Sequence, residues 1–144
     1  MYLSRIVSIA LLAGSACFAQ GPQGAHPGFQ NLVNEARTRI KEVSVPALQA
    51  MMTSNPRPIL IDVREDMEWQ AGHAAGAIHI GRGVLEREIE TSVPTKDALI
   101  VLYCQGGARS ALAADTLQKM GYTKVYSLAG GLNAYRQAGM PLGR

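Results

Sequence analysis

The residues most able to do chemistry lie together in LIVLYCQGGARS, Leu99–Ser110, where an apolar run ends on one cysteine and continues through two glycines to an arginine. A thiol acts as a nucleophile only as its thiolate, so the useful question is what surrounds Cys104. Gly106 and Gly107 can adopt backbone angles that turn successive N–H groups inward, forming an anion-binding nest. Arg109 adds a fixed positive charge, and a helix starting there directs its N-terminal dipole at the sulfur. All three features lower a thiol pKa. A cysteine at a strand end is more commonly a small buried hydrophobe, but that reading explains neither the glycines nor the arginine. Cys104 is therefore the candidate catalytic nucleophile. Arg109, Gln105, Gly106, Gly107 and Ala108 are the candidate substrate-binding residues, and Ser110 is expected to cap the following helix.

The elements that must position this loop follow from periodicity. Short apolar runs at Ile59–Val63, Ala77–Ile80, Leu99–Tyr103 and Val125–Leu128 read as buried strands, with a shorter one at 43–45. Helical spacing separates them at 31–40, 46–52, 66–71, 84–90, 110–120 and 132–138. Strands alternating with helices imply an α/β fold, a parallel sheet covered on both faces. Cys104 then stands at the carboxyl end of a central strand, where open α/β sheets form their ligand crevices.

The amino terminus predicts the compartment. One cation in Met1–Arg5, the apolar stretch Ile6–Ala13 and small residues through Ala19 have the layout of a secretory signal peptide, with cleavage after Ala19. A membrane anchor is the alternative, but the run is well short of the roughly 20 residues that span a bilayer. Lipidation at Cys17 is the minor variant, disfavoured by Gly14 three residues earlier. The expectation is an exported, periplasmic protein: signal peptide 1–19, flexible Gly/Pro-rich linker 20–30 and a domain over 31–144, with no membrane span in the mature form.

Within that mature chain Cys104 is the sole cysteine, so it has no intramolecular disulfide partner and no CxxC companion. His26, His73 and His79 are too dispersed for a metal site. Losing Arg5 leaves 13 of the 14 basic residues against 11 acidic ones, scattered along the chain, which gives no footprint for nucleic acid.

Three ordered stretches together resemble the single-domain rhodaneses, thiosulfate sulfurtransferase-like modules. They are Cys104–Ser110; Asp62-Val63-Arg64 with Glu68-Trp69, Gly72-His73 and Gly76-Ala77-Ile78; and Gly130-Gly131 through Tyr135 with Ala138-Gly139 and Pro141. Ala74, His79 and Tyr135 depart from the usual pattern, all outside the cysteine loop. The resemblance implies a five-stranded parallel sheet between helices, with the loop after the fourth strand. It implies sulfane-sulfur transfer from thiosulfate or a persulfide to cyanide, a thiol or a thiol protein through a Cys104 persulfide, without metal or organic cofactor. Asp62 is expected to accept hydrogen bonds near the loop, Arg64 and Glu68 to form an (i, i+4) ion pair, and Trp69, Tyr135, His73 and His79 to pack.

Two other functions remain open on the same fold. Cysteine-dependent phosphatases and arsenate reductases use a similar loop one residue longer, wide enough for a tetrahedral oxyanion. Here only Gln105, Gly106, Gly107 and Ala108 separate cysteine from arginine, which favours a single sulfur atom. Phosphoryl transfer would also need a general acid that no residue clearly marks. A non-catalytic binding module is the other alternative, against which the pairing of Cys104 with Arg109 argues.

Overall fold

The computed structural model describes residues 26–144; the segment read as a signal peptide, its cleavage point and Cys17 lie outside the described residues. The elements in chain order are α1 (Pro27–Arg39), β1 (Lys41–Val43), α2 (Val45–Met52), β2 (Ile59–Asp62), α3 (Asp66–Gln70), β3 (His73–Ala74), β4 (Ile78–His79), α4 (Leu85–Ser92), β5 (Leu99–Tyr103), α5 (Ala108–Lys119), β6 (Lys124–Leu128), α6 (Gly131–Gln137) and β7 (Leu142–Gly143). Five strands form one parallel sheet in the order β1-β6-β5-β2-β4, as expected, while β3 and β7 add a small antiparallel ribbon outside the expected elements.

The sheet is covered because β5 is apolar on both faces. Ile100 and Leu102 point into a core with Ile61, Leu85, Ile89, Ala113 and Leu117 from β2, α4 and α5. Val101 and Tyr103 point the other way, against Leu48, Leu60, Leu132 and Tyr135 from α2, β2 and α6. This two-sided burial is why β5 reads as a continuous hydrophobic run rather than an alternating one.

Several boundaries shift by a few residues from expectation, two of them before β2. Helix α1 begins at Pro27, inside the stretch read as linker, because proline suits the first helical turn. It buries Val33 and Ala36, and Arg39 at its end grips Asp115 of α5 through two hydrogen bonds, 2.8 and 3.0 Å. The first strand is Lys41–Val43 rather than 43–45, since Ser44 accepts a hydrogen bond from Ala47 N–H and caps α2.

The register brings the chemistry together. Asp62 at the end of β2 pairs with Tyr103 at the end of β5, and Ser127 of β6 lies opposite Leu102. Cys104 therefore leaves the sheet between the carboxyl ends of two neighbouring strands, directly after β5, the fourth of the five sheet strands along the chain.

Candidate active site

The loop from Cys104 to Arg109 is shaped by what takes its carbonyls. Leu132 N–H donates to the Cys104 carbonyl at 2.8 Å and Asn133 N–H to that of Gln105 at 3.1 Å. The first turn of α6 has no earlier carbonyls for these N–H groups, so it uses the loop as its acceptor and holds the loop carbonyls on its own side. Such an approach requires Gly131: a Cβ there would lie 2.4 Å from the Cys104 carbonyl oxygen and 2.8 Å from that of Gln105, and its φ is +55°. Gly107 has the matching role within the loop. Its φ of +100° makes it a left-handed cap to α5, and a Cβ would press on Gly130 N and the Leu128 carbonyl at 3.4 Å. Gly106 is not in the left-handed region, so only one of the two loop glycines is needed for its backbone angle.

With the carbonyls held away, the loop N–H groups face the sulfur. Gly107 N–H donates to Cys104 Sγ at 3.1 Å, and the Ser110 hydroxyl lies 3.7 Å from it. Cys104 is only 2% exposed. Burial alone pushes a thiol up, but the backbone N–H and hydroxyl of Ser110, with the N–H groups of Gly107 and Gly106, outweigh it and hold the thiol below its ordinary value. A buried cysteine whose thiol pKa is nonetheless lowered differs from an inert core thiol.

Ser110 is thus not the helix cap, because α5 starts two residues earlier at Ala108 and is capped by Gly107. Instead its buried hydroxyl lies among Sγ, the Gly107 carbonyl at 3.2 Å and the Ser127 hydroxyl at 2.8 Å. Ser127 and Gly131 join the expected site residues. Gly131 stands out within Gly130-Gly131, whereas Ser127 carries no local signal because only strand register puts it there.

The ion pairing also differs from the expected (i, i+4) pair. Arg64 turns back onto Asp62, donating through its backbone N–H at 2.9 Å and through its guanidinium at 2.7–3.0 Å; both residues are buried. The remaining Arg64 donors reach the Gly72 carbonyl at 2.8 Å and Gln105 Oε1 at 3.2 Å. Gln105 in turn donates to Asn133 Oδ1. Glu68 pairs with Arg109 instead: both terminal guanidinium nitrogens donate to its two carboxylate oxygens, at 2.6 and 2.8 Å. The Arg109 hydrogen bonds pull the Glu68 carboxyl down to about 2, and Arg109 is itself raised by Glu68 and, to a lesser extent, by the nearby Cys104.

The flanking aromatics pack as expected. Trp69 stacks on His73 at 3.4 Å between ring centroids and on His79 at 5.0 Å, and Tyr135 donates to the Pro141 carbonyl. A cleft of about 600 Å³ opens at the β4 edge, lined in part by Glu65, Asp66, Met67, His79 and Val84, but none of residues 104–109 lines it.

Residues 44–138 match the family model described as Rhodanese-like domain. The chain belongs to that family. Its rhodanese-like domain is 43% identical over 79 residues to the Bacillus subtilis protein YqhL, covering 53% of this chain and 59% of that one. It is also 32% identical over 99 residues to the tRNA uridine(34) hydroxylase of Cronobacter sakazakii, covering 63% of this chain but 28% of the relative, so it spans only part of these proteins. Among solved structures, a Rhodopseudomonas palustris protein described as a possible tyrosine phosphatase superposes with a TM-score of 0.72 at 33% identity, covering 85% of this chain and 99% of that one. The polysulfide-sulfur transferase of Wolinella succinogenes superposes with a TM-score of 0.69 at 28% identity, covering 81% and 87%.

Proposed function

We propose that the protein is a sulfurtransferase that carries sulfane sulfur on Cys104. The observation that carries this reading is the loop itself: four residues between Cys104 and Arg109, with N–H groups converging on one sulfur atom and lowering its thiol pKa. In the first half-reaction the Cys104 thiolate attacks the outer sulfur of a donor, thiosulfate or a persulfide. A new S–S bond forms at Sγ as the donor's S–S bond breaks, and the electron pair leaves with sulfite or a thiolate. With thiosulfate the transferred sulfur keeps its negative charge as the outer sulfur of the Cys104 persulfide, beside the same N–H groups; a neutral RS–SH gives the hydropersulfide and the charge leaves on RS⁻. In the second half-reaction a nucleophilic acceptor, cyanide or a thiol, attacks that outer sulfur and Cys104 leaves as thiolate. Two displacements through a covalent intermediate give ping-pong kinetics. The Ser110 hydroxyl stabilises the thiolate as nucleophile and again as leaving group. Arg64 tethers the loop through Gln105, and no step requires a metal or organic cofactor. We further propose that the chain is exported with cleavage after Ala19, which amino-terminal sequencing of the secreted protein would test.

The phosphatase alternative draws on the possible tyrosine phosphatase among the structural neighbours. It is disfavoured by the short loop and by the pairing of Arg109 with Glu68, which leaves no free guanidinium fork for a phosphate. The deciding experiment incubates the protein with thiosulfate or a small persulfide and measures the intact mass. A gain equal to one sulfur atom, lost on adding cyanide and absent in Cys104→Ser, supports the reading. Absence of the adduct with either donor, together with hydrolysis of an aryl phosphate, replaces it.

A further inference from the structure

Glu68 occupies the guanidinium fork of Arg109, the side chain expected to hold an anionic donor. Its carboxylate takes both terminal nitrogens of Arg109, and a bidentate pair of this kind is the strongest form such a contact takes. The carboxylate is also anchored from behind, because Glu65 N–H donates to Glu68 Oε2 at 3.1 Å, fixing it in the first turn of α3. A second carboxylate, Glu65, stands 3.9 Å from Arg109 on the same side. The other arginine beside the loop is equally committed: the Arg64 fork is taken by Asp62, the Gly72 carbonyl and Gln105. Around the thiolate the positive side-chain charges are therefore balanced, and the N–H cradle is the remaining attraction for an anion.

The two donor classes ask different things of such a site. Thiosulfate brings two negative charges, one of them on sulfonate oxygens that need a cation or several donors outside the cradle. An alkyl persulfide carries at most one charge, on the sulfur that enters the cradle, and its leaving group is a thiolate on carbon. We propose that Glu68 determines donor specificity in this protein: by neutralising Arg109 it selects an alkyl persulfide and disfavours thiosulfate. This rests on the sulfur-transfer reading and goes further by naming the donor class. The step balances as RS–SH with the Cys104 thiolate giving a Cys104 hydropersulfide and RS⁻, one S–S bond exchanged for another.

The test is Glu68→Gln, which keeps the size and one acceptor oxygen but releases the Arg109 charge. With the persulfide of 2-mercaptoethanol as donor, kcat/KM should stay within about threefold of wild type, since no charged head group meets Arg109. With thiosulfate it should rise at least about tenfold, mainly through a lower KM, and the gain should shrink as salt is added. Glu68→Asp, which keeps the charge, should not show the thiosulfate gain. An unchanged or reduced thiosulfate rate in Glu68→Gln, with the persulfide rate retained, overturns the assignment. If that variant fails to fold, wild type decides: a kcat/KM for the persulfide at least about tenfold above that for thiosulfate supports the proposal, and the reverse order overturns it. Failure of sulfur transfer itself would look different, because wild type would then acquire no sulfur on Cys104 from either donor.

Discussion

Replacing Gly131 by alanine tests whether the first turn of α6 builds the cysteine loop. The new Cβ would lie 2.4 Å from the Cys104 carbonyl oxygen and 2.8 Å from that of Gln105, distances that only backbone movement can relieve. Withdrawing α6 weakens the hydrogen bonds from Leu132 and Asn133 N–H, each worth about 0.5–1.5 kcal/mol net. Holding a non-glycine residue at a φ of +55° adds about 1–2 kcal/mol. A total near 3 kcal/mol corresponds to a fall of at least about 10 °C in Tm for a domain of this size. Gly139→Ala is the internal control: its φ is +68° but nothing lies within 4 Å of the added methyl, so it incurs the backbone strain alone. Thermal unfolding followed by circular dichroism reads stability, and the pH dependence of Cys104 alkylation reads the loop. The alkylation midpoint should rise in Gly131→Ala and stay put in Gly139→Ala, because only the former moves the N–H groups off Sγ. If the two variants melt together and both titrate like wild type, α6 does not shape the nucleophile's surroundings.

Other outcomes follow from particular contacts. Ser110→Ala should raise the pH at which Cys104 becomes reactive, because it removes a hydroxyl that favours the thiolate; an unchanged alkylation profile would assign Ser110 to packing with Ser127. The Glu68 carboxyl, held at about 2 by Arg109, makes its stabilisation complete above the ordinary carboxylate range and lost as pH falls toward 2, so urea unfolding of wild type should weaken more between pH about 6 and about 3 than that of Glu68→Gln; parallel losses would show that the pair adds nothing to stability. Tyr103→Phe removes the hydroxyl that accepts Ala74 N–H at 3.0 Å and leaves that buried donor unpaired, a loss of about 1–3 kcal/mol read by denaturant titration.

The layered α/β architecture was legible in the sequence alone, and so was the choice of Cys104 as the candidate nucleophile. The β5 run Leu99–Tyr103 is apolar throughout because both faces are covered, and the abrupt change to Cys-Gln-Gly-Gly-Ala-Arg marks where the strand leaves the core. Such signals are local, set by residues within a dozen positions of one another, and they survive reading along a single chain. Ion-pair partners were not legible in that way. Helical spacing matched Arg64 with Glu68, but Glu65 and Arg64 stand outside α3, which begins only at Asp66, so the two side chains do not share a helical face. Arg64 instead met the carboxylate two residues back, and Glu68 met an arginine forty-one positions away. Ser127 likewise became a neighbour of Ser110 only when β6 aligned in parallel beside β5. Charges and hydroxyls find their partners by distance in space, and in a parallel sheet that distance is set by crossovers and register, which no short stretch of sequence contains.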